Sequence, residues 1–264
     1  MLLEEEKEKA TLLINDTFTG DIRYVTGGGS NGWTDEVNVR LLGGKVKVLQ
    51  AVNRGFTLNS EMTVDGATVE NAYASAEGGN LELGVTESAV LDIVSGKVTN
   101  VAPGQSGNPN ETAKDIAELS YAEGTLVNEP TGFAEDSITV NVNVTLKSGE
   151  IEETIQIPKG TTFTDDELQQ LIDEINNDLK SDKLKLEGFF ADEELKTKFD
   201  FSKEINADTT IYLKLTEIKD ETTVKEEKNP ATNDMNLALI LASLGLASAG
   251  AVLVSRKKLT KANR

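Results

Sequence analysis

Between residues 11 and 127 one short pattern keeps returning: an alternating apolar and polar run, a glycine corner, then another such run. The corners are Leu42-Gly43-Gly44-Lys45-Val46, Val64-Asp65-Gly66-Ala67-Thr68-Val69 and Val94-Ser95-Gly96-Lys97-Val98. Gly44 to Gly66 is 22 residues and Gly66 to Gly96 is 30. The runs beside them are Ile22–Val25, Val37–Leu41, Val46–Leu49, Met62–Val64, Leu81–Leu83 and Val90–Val94. Alternation over four or five residues between glycines is a strand signal. A repeat in the twenties points to coils stacked on one another, each burying Val, Leu and Ala and bonding its backbone to its neighbours.

A right-handed β-solenoid over 11–127 is therefore expected, with a β-sandwich carrying glycine-rich turns as the alternative. The text also resembles the glycine-rich repeats of large bacterial adhesin-like proteins. Residues 102–114 read as a loop, and Ile116–Leu119 with Thr125–Val127 as a last strand pair or cap. Gly27-Gly28-Gly29-Ser30-Asn31-Gly32 is no phosphate loop, because neither Gly-Lys-Ser/Thr nor a helix start follows it. Trp33, the one Trp of the chain, has two readings: a filler packed along a rung, or, with Asp35 and Glu36, part of a sugar-binding loop.

Residues 137–217 follow a different rule. Ile138, Val140, Val142, Val144 and Leu146 alternate with Thr139, Asn141, Asn143 and Thr145, as in a half-buried strand. Ser148-Gly149 turns the chain, and Glu152–Ile157 returns as far as Pro158. Thr164 and Glu167 form a capping box before a helix with Leu168, Leu171, Ile172, Ile175 and Leu179 on one stripe. Leu184–Phe190 and Thr209–Leu215 are further strands. The order β-β-α-β-β predicts a small mixed sheet crossed by one helix, a β-grasp-like roll.

Residues 188–215 carry a second resemblance. Gly188-Phe189-Phe190-Ala191-Asp192-Glu193-Glu194-Leu195, Phe199-Asp200-Phe201 and Ile205-Asn206-Ala207-Asp208-Thr209-Thr210-Ile211-Tyr212-Leu213-Lys214 resemble the Listeria–Bacteroides repeat, the B-repeat of internalin-type surface proteins. Leu215 departs from that pattern, where an aromatic residue is usual. The resemblance implies a β-grasp-like stalk module. Phe189, Phe199, Phe201 and Tyr212 read as its core. Asp192, Glu193 and Glu194 read as a solvated turn rather than a Ca²⁺ site, so no metal and no cofactor are expected.

Residues 218–228 are a charged spacer. After them come Asn229-Pro230-Ala231-Thr232-Asn233, an apolar run from Met235 to Val254, and a basic end with Arg256, Lys257 and Lys258. About 20 apolar residues make a helix of roughly 30 Å, enough to span a hydrocarbon core. The cations would hold the tail on the cytoplasmic side. This order resembles the cell-wall sorting signal of Gram-positive surface proteins. The pentapeptide is similar to the N-P-x-T-N substrates of class B sortases. The resemblance implies cleavage after Thr232, transfer of its carboxyl group to peptidoglycan, and loss of the membrane tail. It also implies sortase and peptidoglycan as partners, a membrane-held precursor, a mature protein on the cell wall, and a host or extracellular-matrix ligand. A plain membrane anchor is the alternative.

The totals narrow the rest. There is no Cys and no His, which removes thiol chemistry, disulfides, histidine metal sites and Ser-His-Asp catalysis. A net charge of −19 excludes nucleic acid as a ligand, since phosphates need a basic face. No basic-then-apolar leader stands at Met1–Lys9, so the chain is expected to be the C-terminal part of a longer exported protein. A non-catalytic surface protein is the expectation. The alternative is the C-terminal part of a polysaccharide-active β-helix enzyme whose catalytic region is missing here: such a site needs a set pair of carboxylates, or a basic residue beside bound Ca²⁺, and no acidic pair stands out in this sequence.

Overall fold

A computed structural model describes residues 8–28, 33–53, 55–76, 84–104, 115–149, 151–179 and 184–217. They fall into two units, Met1–Asn141 and Val142–Arg264. The expected strand at Leu81–Leu83, the pentapeptide, the apolar run and the basic end lie outside the described residues. Among the described residues no helix is long and apolar enough to cross a membrane.

The first unit is a β-solenoid. Its strands are β1 (Lys9–Ile14), β2 (Asp21–Thr26), β3 (Trp33–Leu41), β4 (Lys45–Val52), β5 (Phe56–Ala76), β6 (Gly84–Ala102) and β7 (Ala117–Ala122). One parallel ladder runs β1-β3-β5-β6-β7. A second runs β2-β4, then the later halves of β5 and β6. Parallel pairing throughout is what coils produce and what hairpins of a sandwich do not. Hydrogen-bonded side chains on neighbouring rungs are 24 residues apart at Thr26 and Gln50, and 30 apart at Asp65 and Ser95. The ladder begins at Lys9, which pairs in register with Glu36 and forms an ion pair with it.

Each rung turns at a glycine corner. Gly44, Gly66 and Gly96 all have positive φ. Gly96 shows why no other residue fits. Its φ is +92°, and a Cβ there would stand 2.2 Å from the Ala67 carbonyl oxygen of the rung below. The corner brings backbones together more closely than a methyl group allows. From the second rung onward the step across this corner is constant: Leu41 to Lys45, Val64 to Thr68, Ile93 to Lys97, Tyr121 to Thr125. The return connections differ in length: Thr26 to Trp33, Val52 to Phe56, Ala76 to Gly84, Ala102 to Ala117.

Inside the coils stand Val37, Val39, Leu41, Met62, Val64, Leu91, Ile93 and Leu119, each at most 2% exposed. Ser60 and Thr57 are buried with them but are not orphaned. Ser60 donates to the Ala74 carbonyl at 3.1 Å, and Thr57 to the Asn59 carbonyl at 3.1 Å. Polar alternation fails where two neighbouring residues both face outward, as at Glu70-Asn71 and Thr99-Asn100. There the strand bends from one face of the coil to the next. The bend carries an asparagine ladder: Asn128 donates to Asn100 at 2.8 Å and Asn100 to Asn71 at 2.9 Å.

In the second unit the chain forms β8 (Ile138–Ser148), β9 (Ile151–Pro158), α1 (Asp165–Leu179), β10 (Leu184–Phe190) and β11 (Thr209–Glu217). The opening residues of β8, Ile138–Asn141, pair with β7 and belong to the first unit. The later part of β8 pairs in parallel with β11 and also pairs with β9. Thr145 meets Thr154, and Gln156 donates to Asn143, so β8 and β9 run antiparallel. β10 completes the order antiparallel to β11. Leu171 and Ile175 of α1 are buried, and Leu168 and Ile172 pack against the same cluster. The capping box forms as the spacing predicts: Glu167 accepts from the Thr164 N–H at 2.8 Å, and Thr164 Oγ1 accepts from the Glu167 N–H at 3.3 Å.

Candidate functional site

Three surfaces hold the residues that the sequence singles out. The first is the start of the β3, β5 and β6 strands, where the return connections of variable length arrive. Trp33, Phe56 and Gly84 stand in one register row. Trp33 is 56% exposed, so it is not a rung filler. The alternation that would have turned it inward breaks at Asp35-Glu36, two successive residues that are both only part-buried. Its ring stands 6.0 Å from that of Phe56 with 35° between planes. Its Nε1 donates to Asp35 Oδ1 at 3.1 Å, and the other Asp35 oxygen accepts from the Glu8 N–H at 2.8 Å. Both main-chain N–H groups of Asp35 and Glu36 donate back to the Glu8 carbonyl at 3.0 Å. The ring is thus held in place although it lies outside the core.

The second surface is the outward face of the first ladder. One row reads Leu13, Arg40, Thr63, Asp92, Ser120 and Thr139. Burial pushes the Asp92 carboxyl above its ordinary value, and the nearby charges of Glu61 and Asp65 add to this. A hydrogen bond from Ser120 works the other way and does not prevail. Ser120 in turn accepts from the Asn141 amide at 2.7 Å. Asp65 accepts from Ser95 at 2.8 Å. Among the described residues no group of three or more carboxylates is placed to hold a metal ion.

The third is the region that carries the internalin-type resemblance. Phe189 and Phe201 are buried, with 4% and 3% exposure. Phe199 packs against the same cluster, but Tyr212 is not part of the core as expected: it alternates with the buried Ile211 and Leu213, so it stands on the other face of the sheet and is part-buried there. Phe201 is the hub. Its ring lies 4.7 Å from Phe199, 5.1 Å from Phe189 and 5.4 Å from Phe163, all edge-on. These rings build a core and present no ligand surface. Asp192 is engaged by its own loop, accepting the Lys196 N–H at 3.0 Å and the Thr197 N–H at 2.7 Å. Those amides, the Lys196 N–H foremost, hold its carboxyl below the usual range. Glu194 pairs with Lys196, and Glu193 is exposed. The acidic turn is thus tied to itself.

Asn229, Pro230, Ala231, Thr232, Asn233, Arg256, Lys257 and Lys258 lie outside the described residues. Sequence reasoning singled out neither Phe56 as the partner of Trp33 nor the Asp92 environment. Register alone brings those residues together, and register is not written in any one strand. No protein family, characterised protein or solved structure matches the chain.

Proposed function

We propose that the chain is a non-catalytic surface protein that a sortase joins to peptidoglycan through Thr232. The observation that carries this is the order of parts at the end of the sequence: Asn229-Pro230-Ala231-Thr232-Asn233, then an apolar run to Val254, then Arg256, Lys257 and Lys258. Each part has a physical task. Pro230 fixes φ and keeps the pentapeptide extended for a narrow cleft. A run of this length from Met235 is long enough to cross a membrane, and the cations after it would stop it there. The charged spacer at 218–228 keeps the pentapeptide clear of the folded units.

The folded units suit display. A coil stack is a rigid rod, and its right-handed winding follows from the handedness of strand–corner–strand crossovers. The strand order β9-β8-β11-β10 under one helix is that of a β-grasp-like roll, a stalk module in the internalin-type resemblance. Adhesion or scaffolding at the cell surface is the role this serves.

The test is fractionation of a sortase-bearing host that exports the protein. Wild type is expected in the wall fraction, released by muramidase with a peptidoglycan fragment on Thr232. Thr232→Ala is expected to move it to the membrane fraction. Wall linkage undiminished by Thr232→Ala would overturn the reading.

A further inference from the structure

Phe18, Tyr24 and Trp33 of the first unit are exposed, and Trp33 is held still. A large ring left exposed and also fixed in orientation serves no core. Trp33 is such a ring, held through its Nε1 by Asp35, which is itself held by the Glu8 N–H. Because the indole N–H is already engaged, the ring offers a partner its face rather than a hydrogen bond. The face of an aromatic ring is the negative part of its quadrupole, so it attracts C–H groups with slight positive charge. Phe56 extends the surface one rung along the coil axis, and Gly84, next in the row, adds no side chain to it. The row stands where the return connections of unequal length arrive. In stacked-coil proteins such length variation collects on one face, often the binding one.

We propose that Trp33 and Phe56 form a stacking platform for neutral sugar rings, the ligand-binding site of the solenoid. A pyranose is a flat ring with C–H groups on its faces and hydroxyls at its rim, which matches a surface that offers ring faces bordered by polar groups. Asp35, hydrogen-bonded to the indole, and Glu36 and Asn59, paired with each other three residues farther along the strands, are the polar groups of that border. The ligand is neutral because the protein carries a net charge of −19, which repels sulfated or carboxylated glycans. The proposal names a ligand class for a displayed protein, but it does not depend on the wall anchor.

Trp33 is the single Trp of the chain, so its fluorescence reads this site and no other. The experiment titrates the full chain, in a detergent without a sugar headgroup, with cellohexaose and with the N-acetylglucosamine tetramer. A heparin hexasaccharide and gelatin serve as the anionic and the protein probe. A saturable blue shift of Trp33 emission below about 10 mM of a neutral oligosaccharide is expected, with none from heparin. Phe56→Ala should weaken that titration at least about tenfold. Trp33→Ala, followed by calorimetry and checked for unchanged circular dichroism, should abolish it. No shift with either neutral oligosaccharide would overturn the proposal, as would a shift with heparin or gelatin alone. Should Phe56→Ala fail to fold, the wild-type titration and Trp33→Ala still decide. A protein that binds the sugars but stays off the wall would sink the anchor reading and leave this one standing.

Discussion

The two units put their aromatic residues on opposite sides. In the solenoid the buried cluster is almost wholly Val, Ala, Leu, Ile and Met, with Phe133 at its margin, while Phe18, Tyr24 and Trp33 face solvent. In the second unit Phe163, Phe189 and Phe201 are the centre of the core. The difference is one of available width. Stacked rungs repeat every ~4.8 Å, so each inward side chain meets a copy of its own row directly above and below. Compact aliphatic chains tile that space at native density. A helix lying across a sheet stands about 10 Å from it, which leaves room for edge-on rings. An exposed ring in the solenoid is therefore free for other work, whereas a ring in the roll is committed to stability.

The largest effect that would test this division comes from removing one ring on each side. Phe201→Ala deletes the hub of four edge-on rings and should cost the second unit about 3–5 kcal/mol. Trp33→Ala should cost the first unit no more than about 0.5 kcal/mol. Amide hydrogen exchange at Ile211 and at Leu91 reads the two units separately. Equal costs would end the comparison, because Trp33 would then be structural.

A smaller effect separates the glycines. At Gly96 a methyl group would clash with the Ala67 carbonyl of the rung below, and φ is +92°. Gly96→Ala should lose about 2–4 kcal/mol, from the left-handed backbone and from the clash together. Gly149, in the turn between β8 and β9, has φ of +62°, and no described residue comes within 4 Å of where a Cβ would stand. Gly149→Ala should lose only the backbone part, about 1 kcal/mol. Chemical denaturation of both variants checks this. A loss at Gly149 as large as that at Gly96 would mean that coil packing does not set the cost.

Much of this division could be read from the sequence. The corners at Gly44, Gly66 and Gly96 announced the coils, because only a repeated close approach calls for glycine at a repeated place. The capping box at Thr164 and Glu167 and the alternation from Ile138 were equally plain, since each depends on near neighbours alone. The orientation of Trp33 was not. It hangs on a bend at Asp35-Glu36, where the period of two breaks, and such a bend appears only once several rungs are laid side by side. Register was hidden for the same reason: a Cβ at Gly96 would meet the Gly66–Ala67 backbone, because the glycine stands one place later within its corner than Gly66 does in the corner below. The aromatic core of the roll was legible because its rings cluster in sequence, from Phe189 to Phe201.

The smallest predicted effect is an opposite response of the two units to acid. Asp92 in the solenoid has a folded pKa raised by burial. The stability linked to it is fully present below its unfolded value and is lost as pH rises through the folded pKa, because between the two the folded state binds more protons. Asp208 in the roll has the reverse shift, since the Asn143 N–H and then its side-chain amide, at 2.8 and 3.0 Å, hold it below the usual range. Its contribution is present above the unfolded value and is lost as pH falls through the folded pKa. Asp192 and Glu167 shift in the same direction as Asp208. Acidification from neutral to about pH 3 should therefore weaken the roll while favouring the solenoid at Asp92, and both effects should be small because the shifts on the roll sit on solvent-exposed carboxyls. Asp92→Asn keeps a partner for Ser120 and should flatten the solenoid's acid response, read in urea melts by Trp33 emission. Asp208→Asn should do the same for the roll, read by exchange at Ile211. A solenoid transition whose pH dependence is untouched by Asp92→Asn would show that the carboxyl is as well solvated as any other on that face.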